Sequence, residues 1–272
     1  MIKLIIVIPT YNESENIEKL IDQIFSLNLA DGYELQILIV DGNSPDYTAK
    51  ICEELKKKYP KKIHIIQEGK KTGRGNAGRV GLKYACGMEV DYVMEMDADF
   101  SHDPKFIPIF ISLAKHYDVV IGSRFVEGGA QVDRELHREL ISILANMLYK
   151  TILGLKINDI SGGFKCYRKE ALEQLDFENF FSSGYPVGME TIYRLYKKGF
   201  SFIELPVIFP NRQYGVSKFL PIYAIDALWI SLKLLFKFGS ASRLRIFIKK
   251  IFRIKIAYNK SMHIHGLDDK EK

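Results

Sequence analysis

The sequence predicts an α/β fold, a mainly parallel sheet with helices on both faces, on three observations. Apolar, β-rich runs alternate with helical patterns, the runs are hydrophobic throughout, and polar clusters recur where they end. Strands that are apolar at every position belong to parallel sheets, because helical crossovers cover each face. Ligands of such sheets gather beyond the carboxyl ends of the strands.

In chain order, Ile2 to Ile8, Leu35 to Val40, Ile63 to Gln67, Tyr92 to Met96 and Val119 to Ile121 read as strands. Ile17 to Ser26, Tyr47 to Lys58, Asn76 to Cys86 and Lys105 to Lys115 carry helical periodicity between them. Tyr11-Asn12-Glu13, Asp41-Gly42-Asn43 and Asp97-Ala98-Asp99 all fall at strand ends. After residue 122 the regularity weakens. A turn at Gly128 and Gly129, a helix near Glu135 to Leu153 and a turn over Asp159 to Phe164 come first. A helix near Gly188 to Lys198 and a strand near Phe202 to Phe209 follow.

A chain of 272 residues accommodates one large domain, or a domain plus an appendage. Its 47% hydrophobic and 26% charged residues exclude a fibrous or broadly disordered protein. Cys52, Cys86 and Cys166 lack metal-ligand spacing and are odd in number, which predicts reduced thiols in a cytosolic compartment. The opening apolar run is closed by Pro9 and is too short for a signal peptide. The net charge of +6 is unevenly spread. Ala227 to Leu267 contains no acidic residue but holds Lys233, Lys237, Arg243, Arg245, Lys249, Lys250, Arg253, Lys255 and Lys260, a stretch that seeks an anionic surface.

Asp97 and Asp99 carry the strongest chemical signal. Residues two apart on a strand share a face, so both carboxylates can converge on one site, where hard oxygen ligands suit Mg²⁺ or Mn²⁺ with substrate phosphates. A solvated turn before Pro104 is the plain alternative. Gly73-Arg74-Gly75-Asn76-Ala77-Gly78 matches a dinucleotide fingerprint, but Glu68 to Thr72 separate it from the preceding strand. It reads better as a flexible loop that puts Lys71 and Arg74 near phosphates.

Tyr11 and Glu13 can pack on and hydrogen-bond a base or ribose, while Asn12 or Ser14 can cap the next helix. Asp41 can accept from a base or sugar hydroxyl, or simply form an Asx-turn. Arg212 and Lys218 bracket Gly215 in a loop suited to fold over a diphosphate. Arg124 and Arg138 are further phosphate candidates, since Arg binds phosphate bidentately.

In this order, Pro9 to Glu13, Val40 to Pro45, Lys71 to Gly75, Asp97 to His102, Gly122 to Phe125, Asp159 to Phe164 and Arg212 to Lys218 resemble the dolichyl-phosphate mannose synthase group of family 2 glycosyltransferases. The resemblance covers roughly residues 2 to 219 and implies the GT-A fold. It also implies nucleotide-sugar contacts at Pro9, Tyr11, Glu13, Val40, Asp97, Ala98, Arg124, Arg212 and Lys218, metal-side ligands at Asp99 and Ser101, and an acceptor-phosphate contact at Arg138. Asp99, Arg124, Arg138 and Arg212 then form the catalytic set. The family carries two consecutive Asp residues after its second strand, whereas this chain has Asp41-Gly42.

The resemblance implies an inverting transfer of a sugar, with mannose from GDP-mannose favoured, to a polyprenyl (dolichyl-type) phosphate in the presence of Mg²⁺ or Mn²⁺. The alternatives are UDP-glucose or another donor with a glycan or other lipid acceptor, for which Glu190 is the candidate base, and a non-enzymatic basic adaptor for membrane or nucleic acid. Joint retention of Asp97, Asp99, Arg212 and Lys218 argues against an adaptor, and nucleic acid is not an expected partner.

The expected division is a catalytic domain over 1–218, an interfacial membrane-associating helical segment over 219–256 and a flexible tail over 257–272. At 3.6 residues per turn, Asp226, Lys233 and Lys237 fall within a sector of about 40°. That arrangement suits an amphipathic helix at the cytoplasmic face of a membrane, held peripherally against anionic lipid, with ordinary core packing as the alternative for this first stretch. A small membrane subunit is left open as a partner.

Overall fold

The computed structural model describes residues 1–29, 31–132, 136–210 and 222–239, without the side chains of 136–141 and 222–225. From the N-terminus, β1 (Ile2–Thr10), α1 (Ile17–Phe25), β2 (Tyr33–Asp41), α2 (Thr48–Lys58), β3 (Ile63–Gln67), α3 (Arg74–Cys86) and β4 (Tyr92–Glu95) alternate strictly. After α4 (Ile107–Ala114) and β5 (Val119–Ser123) come β6 (Ala130–Gln131), α5 (Leu136–Leu153), β7 (Lys165–Arg168) and α6 (Lys169–Glu173). The described chain closes with α7 (Val187–Lys197), β8 (Phe202–Pro206), β9 (Ile208–Phe209) and α8 (Ile222–Phe238).

The main sheet has the order β3-β2-β1-β4-β7-β5-β8. Pairings from β3 to β4 are parallel, as is β5 with β8, whereas β7 is antiparallel to both of its neighbours. The sheet is therefore mixed and mainly parallel, as expected, and its antiparallel pairings come from β7, a strand with no apolar run of its own. The predicted strand near Phe202 to Phe209 is two strands. Val207 N–H donates to Ser123 O at 3.1 Å, and the chain then leaves β5 to pair β9 with β6.

Two-sided burial follows from the pleat. Ile5 and Val7 of β1 and Leu38 and Val40 of β2 face a core built with α3, α5, α7 and α8. Leu4, Ile6 and Ile8, with Ile37 and Ile39, face α1, α2 and α4. Alternate residues thus enter different cores, which is why β1 is apolar from Leu4 to Pro9 and β2 from Ile37 to Val40. At about 1.5–3 kcal/mol per buried aliphatic side chain, both cores contribute heavily to folding. The three cysteines are unpaired.

Only Ile222 to Gly239 of the expected membrane segment is described. On α8, Ala227, Ile230, Leu234 and Leu235 are buried in the protein's own core, while Asp226, Trp229, Lys233, Phe236 and Lys237 are exposed. The charged residues are exposed, and much of the apolar circumference serves internal packing. Residues 240–272 lie outside the described residues.

Candidate active site

The chain runs outward from β1 to β2 and β3, then crosses to the opposite side of β1 to form β4. Strand order therefore reverses between β1 and β4, and a crevice opens beyond their carboxyl ends. Asp97 and Asp99 occupy the loop there, past the end of β4 at Glu95. Their shared location does not come from strand alternation, since neither residue is in the strand. Local hydrogen bonds set the loop instead.

Asp97 N–H donates to His102 Nδ1 at 2.8 Å, and Ser101 donates to Asp99 Oδ1 through its backbone N–H at 3.1 Å and its hydroxyl at 2.6 Å. Phe100 between them has φ 60°, an unusual conformation for a bulky residue and a mark of local strain. His102 is only 2% exposed. It stacks on Phe164 at 4.8 Å and meets Phe209 edge-on at 5.0 Å. Burial pushes its pKa down to about 4, so it is neutral at neutral pH and accepts at Nδ1.

A buried polar platform lies beneath this loop. Arg74 Nε donates to Asp97 Oδ1 at 2.8 Å, and Arg74 Nη1 lies 3.5 Å from Glu95 Oε1. Tyr167 Oη donates to Glu95 Oε2 at 3.1 Å, and buried Lys165 is the cross-strand partner of Glu95. Burial lowers the Lys165 pKa to about 8 against the pull of Glu95. Tyr167 is driven well above the usual phenol value by burial and then by Glu95. The sequence signal for this platform was a charged residue inside an apolar strand, Met94-Glu95-Met96.

The glycine-rich motif belongs to this platform. Arg74 opens α3, so the expected flexible loop is helical from that residue onward. A Cβ on Gly75 would lie 1.8 Å from Gly184 O, and one on Gly78 would lie 2.7 Å from Glu95 Oε1. These glycines admit close packing around the Arg74 and Glu95 ion pair, which accounts for the motif without a dinucleotide. Lys71 lies 3.8 Å over the Tyr11 ring.

Arg124 is committed to a buried ion pair. Its Nε and Nη2 each reach an Asp159 oxygen at 2.7 Å, and its backbone N–H donates to Asp159 Oδ2 at 3.0 Å. The two side chains are 9% and 0% exposed. Burial raises the Asp159 pKa, but Arg124 outweighs it and holds the carboxyl below the usual range. Glu204 of β8 accepts from the N–H groups of Asn158 and Asp159, and Asn146 of α5 accepts from those of Ile160 and Ser161. Arg124 therefore fixes the turn over Asp159 to Phe164, and its charge is already paired.

Of the remaining expected nucleotide contacts, Pro9, Val40 and Ala98 are buried, whereas Tyr11 and Glu13 are partly exposed. Asp41 is fully buried and forms the Asx-turn, accepting from Ser44 N–H at 3.0 Å, Ser44 Oγ at 2.6 Å and Thr10 Oγ1 at 3.0 Å. It shapes the loop and turns no atom to solvent. Neither Asn12 nor Ser14 caps α1, whose N-cap is Asn16; Asn12 N–H donates to Ser44 Oγ at 3.0 Å instead. Arg138 falls in the first turns of α5, with its side chain outside the description. Arg212 and Lys218 lie outside the described residues.

Glu190 is corrected outright as a candidate base. Its carboxylate accepts from the N–H groups of Phe181 and Ser182, each at 2.9 Å, from Ser182 Oγ at 2.7 Å and from Arg194 at 2.6 Å, and it is fully buried. Arg194 in turn stacks on Phe180, 4.6 Å from its ring. The residue is a staple between α7 and the preceding loop.

Known proteins resemble this chain in sequence and in fold. The family model described as Glycosyl transferase family 2 matches residues 5–176. The chain is 33% identical over 217 residues to polyprenol monophosphomannose synthase of Mycolicibacterium smegmatis, spanning 79% of this chain and 80% of that one. It is 32% identical over 217 residues to undecaprenyl-phosphate mannosyltransferase of Micrococcus luteus, spanning 79% and 87%. Among solved structures, glucosyl-3-phosphoglycerate synthase from Mycobacterium tuberculosis, in complex with Mn²⁺, UDP and glucosyl-3-phosphoglycerate, has a TM-score of 0.59. It is 19% identical and covers 87% of this chain and 80% of its own, a likeness of fold.

Proposed function

The chain belongs to glycosyl transferase family 2, and on that footing we propose that it transfers mannose from GDP-mannose to a polyprenyl phosphate with inversion at the anomeric carbon. The observation that carries the acceptor class is the burial of Glu190. A hydroxyl acceptor calls for a positioned base, and this carboxylate is already consumed by Phe181, Ser182 and Arg194. A phosphate monoester, with a second pKa of about 6, is mostly ionised at neutral pH and attacks without one. Identity with two proteins named for mannose transfer to polyprenol carriers supports the same choice.

Asp99 and Ser101, with Asp97 beside them, would hold Mg²⁺ or Mn²⁺, which neutralises charge developing on the leaving diphosphate when bound. The donor set fits such an ion. These groups are all hard oxygens, and among the described residues no group of three or more His, Cys, Asp or Glu forms a closed cage. An ion that takes its remaining ligands from diphosphate and water suits that arrangement. The similar solved enzyme was crystallised with Mn²⁺ and UDP.

In this reading Arg74 orients Asp97, and the Ser101 hydroxyl orients Asp99. Arg212 and Lys218 neutralise the diphosphate, Arg138 receives the acceptor phosphate, and Arg124 fixes the turn over Asp159 to Phe164. Tyr11 and Glu13 contact the nucleoside. The site works at the cytoplasmic face of a membrane, where the basic C-terminal stretch meets anionic lipid. None of the described helices is long and apolar enough to cross a membrane.

The test is transfer of label from radiolabelled GDP-mannose to a short polyprenyl phosphate, with UDP-glucose and a glycan acceptor as parallel arms. The expected product is an organic-soluble, acid-labile mannosyl phospholipid whose formation stops when Mg²⁺ and Mn²⁺ are chelated. Label recovered in glycan, with none in lipid, would overturn the assignment.

A further inference from the structure

Glu68, just past β3, is fastened beside the end of β2: its N–H donates to Asp41 O at 2.9 Å. The next residue on the β2 side is Gly42. A Cβ there would lie 3.4 Å from Thr10 O, 3.5 Å from Tyr11 Cδ2 and 3.8 Å from Glu68 Oε2, all ordinary van der Waals distances. Packing therefore does not demand glycine at this point. Its missing side chain leaves a space bounded by the Tyr11 ring and the Glu68 carboxylate.

That carboxylate is held in place before any ligand arrives. Thr72 Oγ1 lies 2.7 Å from each Glu68 oxygen, and Asn76 Nδ2 donates to Oε1 at 3.2 Å. Arg79 Nη2 fixes Asn76 by donating to its Oδ1 at 2.8 Å. Thr72 and Asn76 are neutral, so they orient the carboxylate without cancelling its charge. Adjacent strands are about 4.8 Å apart, so the ends of β4 and β3 are separated by roughly 14 Å across β1 and β2, a span an extended nucleoside diphosphate covers.

We propose that Glu68 reads the base of the donor, supplying from β3 the carboxylate that Gly42 lacks on β2, and that it selects guanine. The Watson–Crick edge of guanine presents two adjacent N–H donors, N1–H and N2–H, which one carboxylate accepts as a pair. Uracil presents a single N3–H flanked by two carbonyl oxygens, which a carboxylate repels. Adenine presents only its amino group beside a ring acceptor. The Tyr11 ring, with Lys71 3.8 Å over it, adjoins the same space. Glu68 is thus a specificity-determining residue, an inference that rests on the nucleotide-sugar transferase reading.

Calorimetric binding of GDP, UDP and ADP in Mn²⁺ to the full-length chain tests this, with Glu68→Gln and the double variant Glu68→Gln/Gly42→Asp alongside. Gln keeps the shape and can still accept from Thr72. Wild type should prefer GDP to UDP by about tenfold or more, as charge-assisted hydrogen bonds allow. Glu68→Gln should erase that preference by weakening GDP alone, and Gly42→Asp should restore part of it. Thermal melting verifies that both variants fold. A folded Glu68→Gln with the wild-type GDP to UDP ratio overturns the inference while leaving the transferase reading intact, and a wild type that prefers UDP overturns the inference and the GDP-mannose donor together while leaving transfer from a nucleotide sugar intact. Failure of wild type to bind any of the three nucleotides overturns the transferase reading itself.

Discussion

Arg74 is bonded to both Glu95 and Asp97, at 3.5 Å and 2.8 Å, so one guanidinium ties the last residue of β4 to the first carboxylate of the candidate metal loop. Arg74 Nη2 also lies 3.5 Å from Gly163 O. Glu95 is only 3% exposed, whereas Arg74 and Asp97 are 27% and 25% exposed, so removing the guanidinium strands chiefly the desolvated Glu95 carboxylate. Arg74→Leu should therefore lower stability by about 3 kcal/mol, measured by urea denaturation without metal. A change within about 0.5 kcal/mol would mean that the pair is solvated, as surface residues are.

Asp99→Asn separates loop architecture from metal chemistry. The amide oxygen can still accept from Ser101, so the melting temperature should stay close to wild type. Manganese binding, followed by the electron paramagnetic resonance of free Mn²⁺, should be lost, and transfer should fall about a hundredfold or more. Wild-type Mn²⁺ affinity in this variant would place the ion elsewhere.

The parallel half of the sheet was legible because Leu4 to Ile8 of β1 and Ile37 to Val40 of β2 are apolar at every position for a stated reason, burial on alternate faces. The Asx-turn at Asp41 was also legible, since Ser44 stands three residues on and both donors are local. β7 was not. It has four residues, two of them Lys165 and Arg168, and its strand character depends on pairing with β4 and β5. Arg74 was misread for a similar reason: its chemistry suggested phosphate, whereas its carboxylate partners lie over twenty residues downstream and meet it only in the fold. Glu190 looked like a base because nothing local reveals Phe181 and Ser182 donating to it.

The Arg124 and Asp159 pair gives stability a predictable pH dependence. Asp159 has a folded pKa below its unfolded value, so its contribution is complete above about pH 4 and is lost as pH falls through the lowered folded value. Asp159→Asn strands a buried Arg124 charge and should cost about 3 kcal/mol at pH 7. At pH 3 the gap between wild type and variant should narrow, because wild type begins to lose the same interaction. Urea titrations at the two pH values provide the comparison, and equal gaps would show that the carboxylate does not carry the effect.

Membrane contact is best tested on α8 by substitution. Deleting from residue 219 onward would strip Ala227, Ile230, Leu234 and Leu235 from the core, and lost binding would then report unfolding. Trp229 and Phe236 are 58% and 68% exposed on the opposite side, with Lys233 5.5 Å over the Trp229 ring and Lys237 exposed nearby. α5 packs beside α8 and exposes Leu144 and Met147. Aromatics with flanking lysines suit the headgroup boundary, where each cation adds roughly 1 kcal/mol of attraction to an anionic leaflet. Trp229→Glu/Phe236→Glu should leave the melting temperature near wild type while sharply reducing co-sedimentation with phosphatidylglycerol vesicles. High salt should weaken wild-type binding without abolishing it, since insertion of the aromatics survives screening, and alkaline carbonate should extract the full-length chain. A double variant that binds vesicles as wild type does would move the anchor away from this face of α8.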